Sequence, residues 1–305
     1  MLPIDKQPVL VVGTGAMACI FAARLKAASL TPVMLGSWPQ GLEAIQKFGV
    51  RVRTADGQEQ AYPVQATHDP QNVKGVRFAI VLVKSWQTLR AAKQLAECLD
   101  ANGVALTLQN GHGNREQLAQ VLGAQRVALG VTTLGSTLLA PGLVRPVGEA
   151  VISLEAHPRM GPLSNLLQLA GFVIENAPDA NALVWGKLVI NSAINPLTAL
   201  LGVPNGELLQ RNTARLLMQA VARESAAVAV AQGVQLPYPD PVVAVETIAR
   251  RTAANRSSML QDVERGAPTE IDAICGAIVQ AGEQVGVPTP INRTLLQLVK
   301  ALRPD

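Results

Sequence analysis

Lys187, Asn191 and Asn195 stand four residues apart in Trp185-Gly-Lys-Leu-Val-Ile-Asn-Ser-Ala-Ile-Asn-Pro196, a spacing that puts all three on one face of a helix. The rest of that face is surrounded by Leu, Val and Ile. A cation and two amides in such surroundings are costly if buried alone, so they require partners or a purpose. Hydride transfer to a carbonyl is one chemistry that would use them. Hydride reaching a keto carbon leaves charge on its oxygen, and a lysine whose pKa is lowered by partial burial or neighbouring cations can protonate that oxygen. Asparagines can meanwhile bind carboxylate and hydroxyl groups without neutralising the lysine.

Such a reaction needs a hydride donor, and the N-terminal segment Val9-Leu-Val-Val-Gly13-Thr14-Gly15-Ala16-Met17-Ala18 provides for one. It reads as a strand, a tight turn and a helix start with Gly-x-Gly-x-x-Ala spacing. Gly13 permits the turn, Gly15 lets the backbone approach a pyrophosphate, and Ala18 lets helix and strand pack closely, while the helix N-terminus supplies N–H groups and positive dipole. An NAD site normally offers Asp or Glu at the end of the next strand, but Pro32-Val-Met-Leu35 runs into Gly36-Ser37-Trp38. The missing carboxylate removes repulsion against a 2′-phosphate and the Ser37 hydroxyl can donate to it, which favours NADP over NAD.

Three further segments set polar residues in apolar frames. Lys84 follows Val81-Leu-Val, Asn110 follows Leu106-Thr-Leu-Gln and precedes Gly-His-Gly113, and Ser257-Ser258 leads through Asp262 to Thr269-Glu270-Ile-Asp272. Lys84 and Asn110 thus stand at strand ends, where doubly wound sheets bind ligands. Plainer readings exist for several of these residues. Lys84 could be solvated, Asn110 an ordinary turn residue, Lys187 a snorkelling side chain, and Glu270 a helix-dipole partner. Asn195 could end a turn before Pro196, and Ser257-Ser258 could cap a helix. His112 reads as a loop residue, and His68, His112 and His157 lack metal-ligand spacing, as do Cys19, Cys98 and Cys275.

These groups need a frame, and the pattern supplies it. Apolar runs at Pro8–Val12, Pro32–Leu35, Phe78–Val83, Val104–Leu108 and Val127–Gly130, separated in several places by helical patterns, predict a parallel sheet wound with helices. Leu143–Val147 and Ala150–Leu154 read as a hairpin or meander, Leu163–Leu169 as a short helix, and Phe172–Ile174 as one more strand. Helices are expected over Asn181–Leu201, Thr213–Gln232, Pro241–Asn255, Glu270–Val285 and Asn292–Leu302, with Asp240 as an N-cap and Thr269 with Asp272 as a capping box. The boundary falls near 177, giving domains 1–177 and 178–305.

The 305 residues suit two domains, and 49% hydrophobic with 16% charged residues describes a globular chain. The formal charge of +4 comes from scattered Lys and Arg, and aromatics are 3%, which argues against nucleic acid. No signal peptide or membrane span is indicated, and three well-separated cysteines suit a reducing cytoplasm.

Gly-Thr-Gly-Ala-Met-Ala, Val-Lys-Ser-Trp-Gln, Gln-Asn-Gly-His-Gly, Lys-Leu-Val-Ile-Asn with Asn-Pro-Leu-Thr-Ala, Pro-Asn-Gly-Glu-Leu, Ser-Ser-Met-Leu-Gln-Asp and Thr-Glu-Ile-Asp occur in this order from residue 13 to 272. In that order and over most of the chain, the sequence resembles the ketopantoate reductases. The resemblance implies an α/β fold, with an N-terminal Rossmann-type doubly wound parallel sheet and a C-terminal all-helical domain like that of 6-phosphogluconate dehydrogenase. It implies NADPH-dependent reduction of 2-dehydropantoate to pantoate, on the way to pantothenate and coenzyme A. By position it makes Lys187 the catalytic lysine and Glu270 the carboxylate by the cofactor. It makes Lys84 and Asn110 cofactor and carbonyl-side residues, Ser136 a small cofactor contact, and Asn191, Asn195, Asn205 and Ser258 substrate contacts. Where many members carry arginine for the 2′-phosphate, this chain has Ser37. No metal is implied, and a homodimer is left open. The competing readings are a reductase of another small 2-keto acid and a non-catalytic NADP-binding protein.

Overall fold

The computed structural model describes residues 7–302. They divide into two compact units, one running to Gln109 and resuming over Asn114–Ala180, the other formed by Asn110–Gly113 with the chain from Asn181 onward.

In chain order the first unit contains β1 (Pro8–Val12), α1 (Ala16–Ala27), β2 (Thr31–Leu35), α2 (Pro39–Phe48), β3 (Val50–Arg53), β4 (Glu59–Tyr62), β5 (Gln65–Thr67), β6 (Val76–Val81), α3 (Thr88–Cys98), β7 (Leu99–Thr107) and α4 (Asn114–Leu122). It continues with β8 (Val127–Thr132), β9 (Gly135–Ala140), β10 (Leu143–Val147), β11 (Val151–Glu155), α5 (Gly161–Leu169) and β12 (Val173–Ala177). The main sheet has the order β12-β11-β8-β7-β6-β1-β2-β5. The six strands β5-β2-β1-β6-β7-β8 are parallel. Their sequence order is the 3-2-1-4-5-6 of a dinucleotide-binding sheet. Alternation accounts for its two-sided burial. Val9 and Val11 join the core on one face with Phe78 and Ile80, whereas Leu10 and Val12 join the other with Ala79 and Val81.

Leu143–Val147 and Ala150–Leu154 do not form the expected hairpin or meander with one another. β10 pairs with β9 and β3 in a separate four-stranded sheet, while β11 pairs with β8 and β12 in the main sheet. Ile152 and Leu154 alternate into the main core, and Gly148, at φ +81°, turns the chain between the two.

The second unit contains α6 (Ala180–Leu201), α7 (Glu207–Gln210), α8 (Asn212–Ala231), α9 (Pro241–Arg251), α10 (Ser258–Glu264), a π-turn over Asp272–Gly276 that leads into α11 (Ala277–Val285), and α12 (Pro290–Ala301). Its core gathers Trp185, Leu188, Val189, Met218, Val221 and Ile278. Asp240 caps α9 as expected, accepting from the Val242 and Val243 amides at 2.7 and 3.2 Å. The helix stops at Arg251, short of the expected Asn255. The Thr269–Asp272 capping box does not form. Thr269 accepts only weakly from the Ile271 amide, at 3.4 Å, and the Asp272 carboxylate instead meets Lys300 at 2.6 Å. Helix α6 continues through Pro196, so Asn195 does not end it. No described helix is long and apolar enough to cross a membrane.

Candidate active site

Gly13 has φ +131°, and its amide donates to the Leu35 carbonyl at 2.7 Å. A Cβ there would stand 3.2 Å from the Leu82 carbonyl oxygen and 3.4 Å from Ala18 Cβ. The fold itself therefore demands this glycine. Gly15 differs: at φ −81° a side chain is tolerated, and a Cβ would meet no protein atom within 4 Å. Nothing in the chain asks for glycine at 15, whereas close approach of a ligand to the backbone does. Helix α1 begins at the next residue with no side-chain cap and no acid in its first turn. The amides of Ala16, Met17 and Ala18 and the helix dipole are thus suited to an anion. Ser136 Oγ, on β9, donates to the Ala16 carbonyl at 3.2 Å and braces this turn.

Two other strand ends contribute. Ser37 is exposed beyond β2, and Lys84, partly buried, follows β6 at the start of the 3-10 turn Ser85–Gln87. Around the turn after Lys84 lies a polar cluster that has no local signal in the sequence. Thr88 Oγ1 is 2.8 Å from the Ser85 carbonyl and 2.9 Å from Asn114 Oδ1, and Gln109 Nε2 donates to the Val83 carbonyl at 3.0 Å and to Thr88 Oγ1 at 2.8 Å. Thr88 is fully buried. These bonds hold the turn after Lys84 and the chain leading to Asn110.

Asn110–Gly113 groups with the helical unit. A Cβ on Gly111, which has φ +86°, would lie 2.6 Å from the Ala273 carbonyl oxygen, and the His112 amide donates to that oxygen at 3.0 Å. The His112 ring tilts over Trp185 at 5.3 Å. It is a loop residue packed on an indole, as its sequence context suggests.

On α6, Lys187 and Asn191 are half-buried and Asn195 is buried. Burial lowers the Lys187 ammonium from 10.5 to about 8, while the nearby Glu270 carboxylate acts in the opposite direction. Glu270 is itself buried, just before the π-turn. Tyr238 Oη donates to the Gly186 carbonyl at 2.9 Å, and a Cβ on Gly186 would come within 2.6 Å of Pro237. The Pro237–Tyr238 segment therefore clamps the backbone beside Lys187, a role that no motif announced.

Asn205 is buried, and its Nδ2 donates to Thr252 Oγ1 at 2.9 Å. The Thr252 hydroxyl in turn donates to the Ile248 carbonyl at 2.7 Å, which fixes the orientation of the amide. Asn205 Oδ1 is left buried without a hydrogen-bond partner, an acceptor suited to a ligand hydroxyl. Ser257 rather than Ser258 caps α10, accepting from the Leu260 amide at 3.0 Å. Ser258 is partly exposed, and its hydroxyl is not spent on the cap. Among the described residues no group of three or more His, Cys, Asp or Glu could hold a metal ion.

The glycine turn has the free amides that a pyrophosphate needs, and α6 carries an amine and two amides on one face. Residues 9–159 match the family described as ketopantoate reductase PanE/ApbA, and residues 179–303 match its C-terminal region. A 2-dehydropantoate 2-reductase of Archaeoglobus fulgidus is 37% identical, covering 97% of this chain and 98% of its own. One from Halobacterium salinarum is 30% identical, covering 97% and 99%. The crystal structure of a PanE/ApbA family ketopantoate reductase from Ralstonia eutropha superposes with a TM-score of 0.89 at 32% identity, covering 97% and 98%. The fold extends to D-mandelate dehydrogenase, solved with NADH and anilino(oxo)acetate, at a TM-score of 0.90 and 23% identity, covering 97% and 98%. This chain belongs to the ketopantoate reductase family of oxidoreductases.

Proposed function

We propose that this protein reduces 2-dehydropantoate to pantoate with NADPH, in the cytoplasm and in the service of pantothenate and coenzyme A synthesis, with Lys187 as general acid. The observation that carries the reading is Lys187, an amine brought to a pKa of about 8 beside Glu270 on the face that also bears Asn191 and Asn195. At neutral pH such a lysine is mostly protonated yet gives up its proton far more readily than a solvated one.

The first domain, to about residue 177, binds the cofactor, and residues from 178 onward bind the substrate. Gly13, Thr14, Gly15, Ala16, Met17 and Ala18 receive the pyrophosphate. Ser37 meets the 2′-phosphate, and Lys84, Asn110 and Ser136 contact the rest of the dinucleotide. When bound, NADPH supplies the hydride. Asn191, Asn195, Asn205 and Ser258 hold the substrate's carboxylate and hydroxyl, with Asn205 Oδ1 suited to accept from a hydroxyl. Lys187 delivers its proton to the nascent alkoxide oxygen, and Glu270 stabilises the ammonium until then and orients the ribose.

The test is oxidation of NADPH and NADH with ketopantoate compared with a panel of 2-keto acids. Ketopantoate should give the highest kcat/KM, and NADPH should be the better donor. Higher turnover of another keto acid would move the assignment within the family, and dinucleotide binding with no turnover of any acid would refute catalysis.

A further inference from the structure

Where a carboxylate stands in NAD-specific sites, about twenty residues past the glycine loop at the end of the second strand, this chain has Gly36. A Cβ built on Gly36 would lie 2.5 Å from Thr14 Cγ2, 2.8 Å from Thr14 Oγ1 and 3.2 Å from Thr14 Cβ. Contacts of that kind do not survive in a packed interior. Gly36 cannot retreat, because its amide donates to the Thr67 carbonyl at 3.0 Å and the preceding Leu35 carbonyl accepts from Gly13 at 2.7 Å. Thr14 has little room to yield either. It is buried, and as a β-branched residue it carries two heavy atoms on Cβ.

Resting on the reading of this loop as a dinucleotide site, we propose that Thr14 sets how the chain reads the adenosine 2′ position. Its side chain fills the space at the end of β2, keeps any carboxylate out of position 36, and hands recognition of the 2′ group to Ser37. The loop residue thereby acts as a specificity determinant as well as a phosphate ligand. The space it occupies is large enough for a methyl and a hydroxyl, so removing both makes room for the first atoms of a side chain at 36. An aspartate admitted there would accept from a ribose 2′-hydroxyl and repel a 2′-phosphate.

The experiment is a double-mutant cycle on the full chain with Gly36→Asp, Thr14→Ala and the pair. It measures Tm without dinucleotide and Kd for NADPH and NADH by nicotinamide fluorescence. Gly36→Asp alone should lower Tm by several degrees and weaken both dinucleotides about tenfold or more. Adding Thr14→Ala should recover most of the lost Tm and move the NADH-to-NADPH affinity ratio at least about tenfold toward NADH, relative to Thr14→Ala alone. If the single aspartate variant does not fold, Gly36→Ala with and without Thr14→Ala gives the same coupling through Tm and NADPH affinity. A Gly36→Asp protein as stable as the parent, or a pair that shows no coupling in Tm, overturns the inference while leaving dinucleotide binding standing. A parent protein that binds neither dinucleotide overturns the binding reading and this inference with it, and the Tm cycle still reports separately on the steric clash.

Discussion

Lys187→Met keeps most of the length and apolar stem of the lysine and removes only its charge, so it separates the cost of a half-buried ammonium from the loss of packing. Burial takes Lys187 from 10.5 to about 8. At about 1.4 kcal/mol per unit, keeping the protonated amine in the folded protein costs about 3 kcal/mol. Between pH 8 and 10.5 the unfolded chain holds a proton on this lysine that the folded chain has released, so stability rises with pH across that window. Below pH 8 both states are protonated and the full cost is present. Because Lys187→Met alone would leave the buried Glu270 carboxylate without its cation, stability is compared in a Glu270→Gln background, where Lys187→Met should stabilise the cofactor-free protein by about 2–3 kcal/mol at pH 7 and abolish the rise above pH 8. The reductase activity of Lys187→Met alone should fall by about 10²-fold or more, the range expected when a general acid is lost. Urea unfolding of Glu270→Gln with and without Lys187→Met at pH 7 and pH 10, alongside NADPH oxidation by the parent and Lys187→Met, measures both. A double variant no more stable than Glu270→Gln at pH 7, with a Glu270→Gln protein whose stability is flat from pH 8 to 10.5, would refute the argument that this amine is held at an energetic cost for its chemistry.

The rate of ketopantoate reduction should fall as pH rises through about 8, and Glu270→Gln should move that limb to lower pH, because the carboxylate is what raises the Lys187 pKa; a pH–rate profile of both proteins decides it. Gly15→Ala should weaken NADPH binding by about tenfold or more with almost no change in Tm, since its Cβ meets no protein atom; an equal loss of Tm would place the requirement for glycine in the fold instead. Gly111→Ala should do the reverse of that first-order expectation and cost at least about 2 kcal/mol of stability, from positive φ and a clash with the Ala273 carbonyl. Asn205→Ala should raise KM for the keto acid about tenfold and leave the Kd for NADPH unchanged, which steady-state kinetics and fluorescence titration would test.

Much of the frame was readable because it is written in local chemistry. β1 and β6 are short apolar runs buried on both faces, and α6, α8 and α12 carry long uninterrupted patterns. Of the strands that escaped notice, β3 does alternate as Val-Arg-Val-Arg and was readable, whereas β4 and β9 lack such a signature. β4 is Glu-Gln-Ala-Tyr and mostly exposed, and β9 is partly buried along its whole length, so neither alternates. The pairing of β10 with β3 rather than β11 depends on residues more than ninety positions apart. For the proposed site, the shared helical face of Lys187, Asn191 and Asn195 was legible because spacing alone sets it. The Thr88–Gln109–Asn114 cluster was not, since each residue is an ordinary polar one until the fold brings it to the others. The Thr14–Gly36 contact is of the same kind: the sequence displays the absence of an acid, and only the packing gives its cause.

The π-turn at Asp272–Gly276 fixes the rotation of Glu270 relative to the helix that follows it. A turn of this type holds one residue more than the α-helix around it, so it behaves as a single-residue insertion that the helix absorbed by bulging. Deleting Ala273 should let Ile271–Val285 close into a regular helix, at the cost of the Ala273 carbonyl that accepts from the His112 amide. It would also rotate everything before the deletion by roughly 100° about the axis. Glu270 would then leave the side on which it faces Lys187. The deletion variant would keep the lysine on α6 but displace its titration, which a pH–rate profile would read.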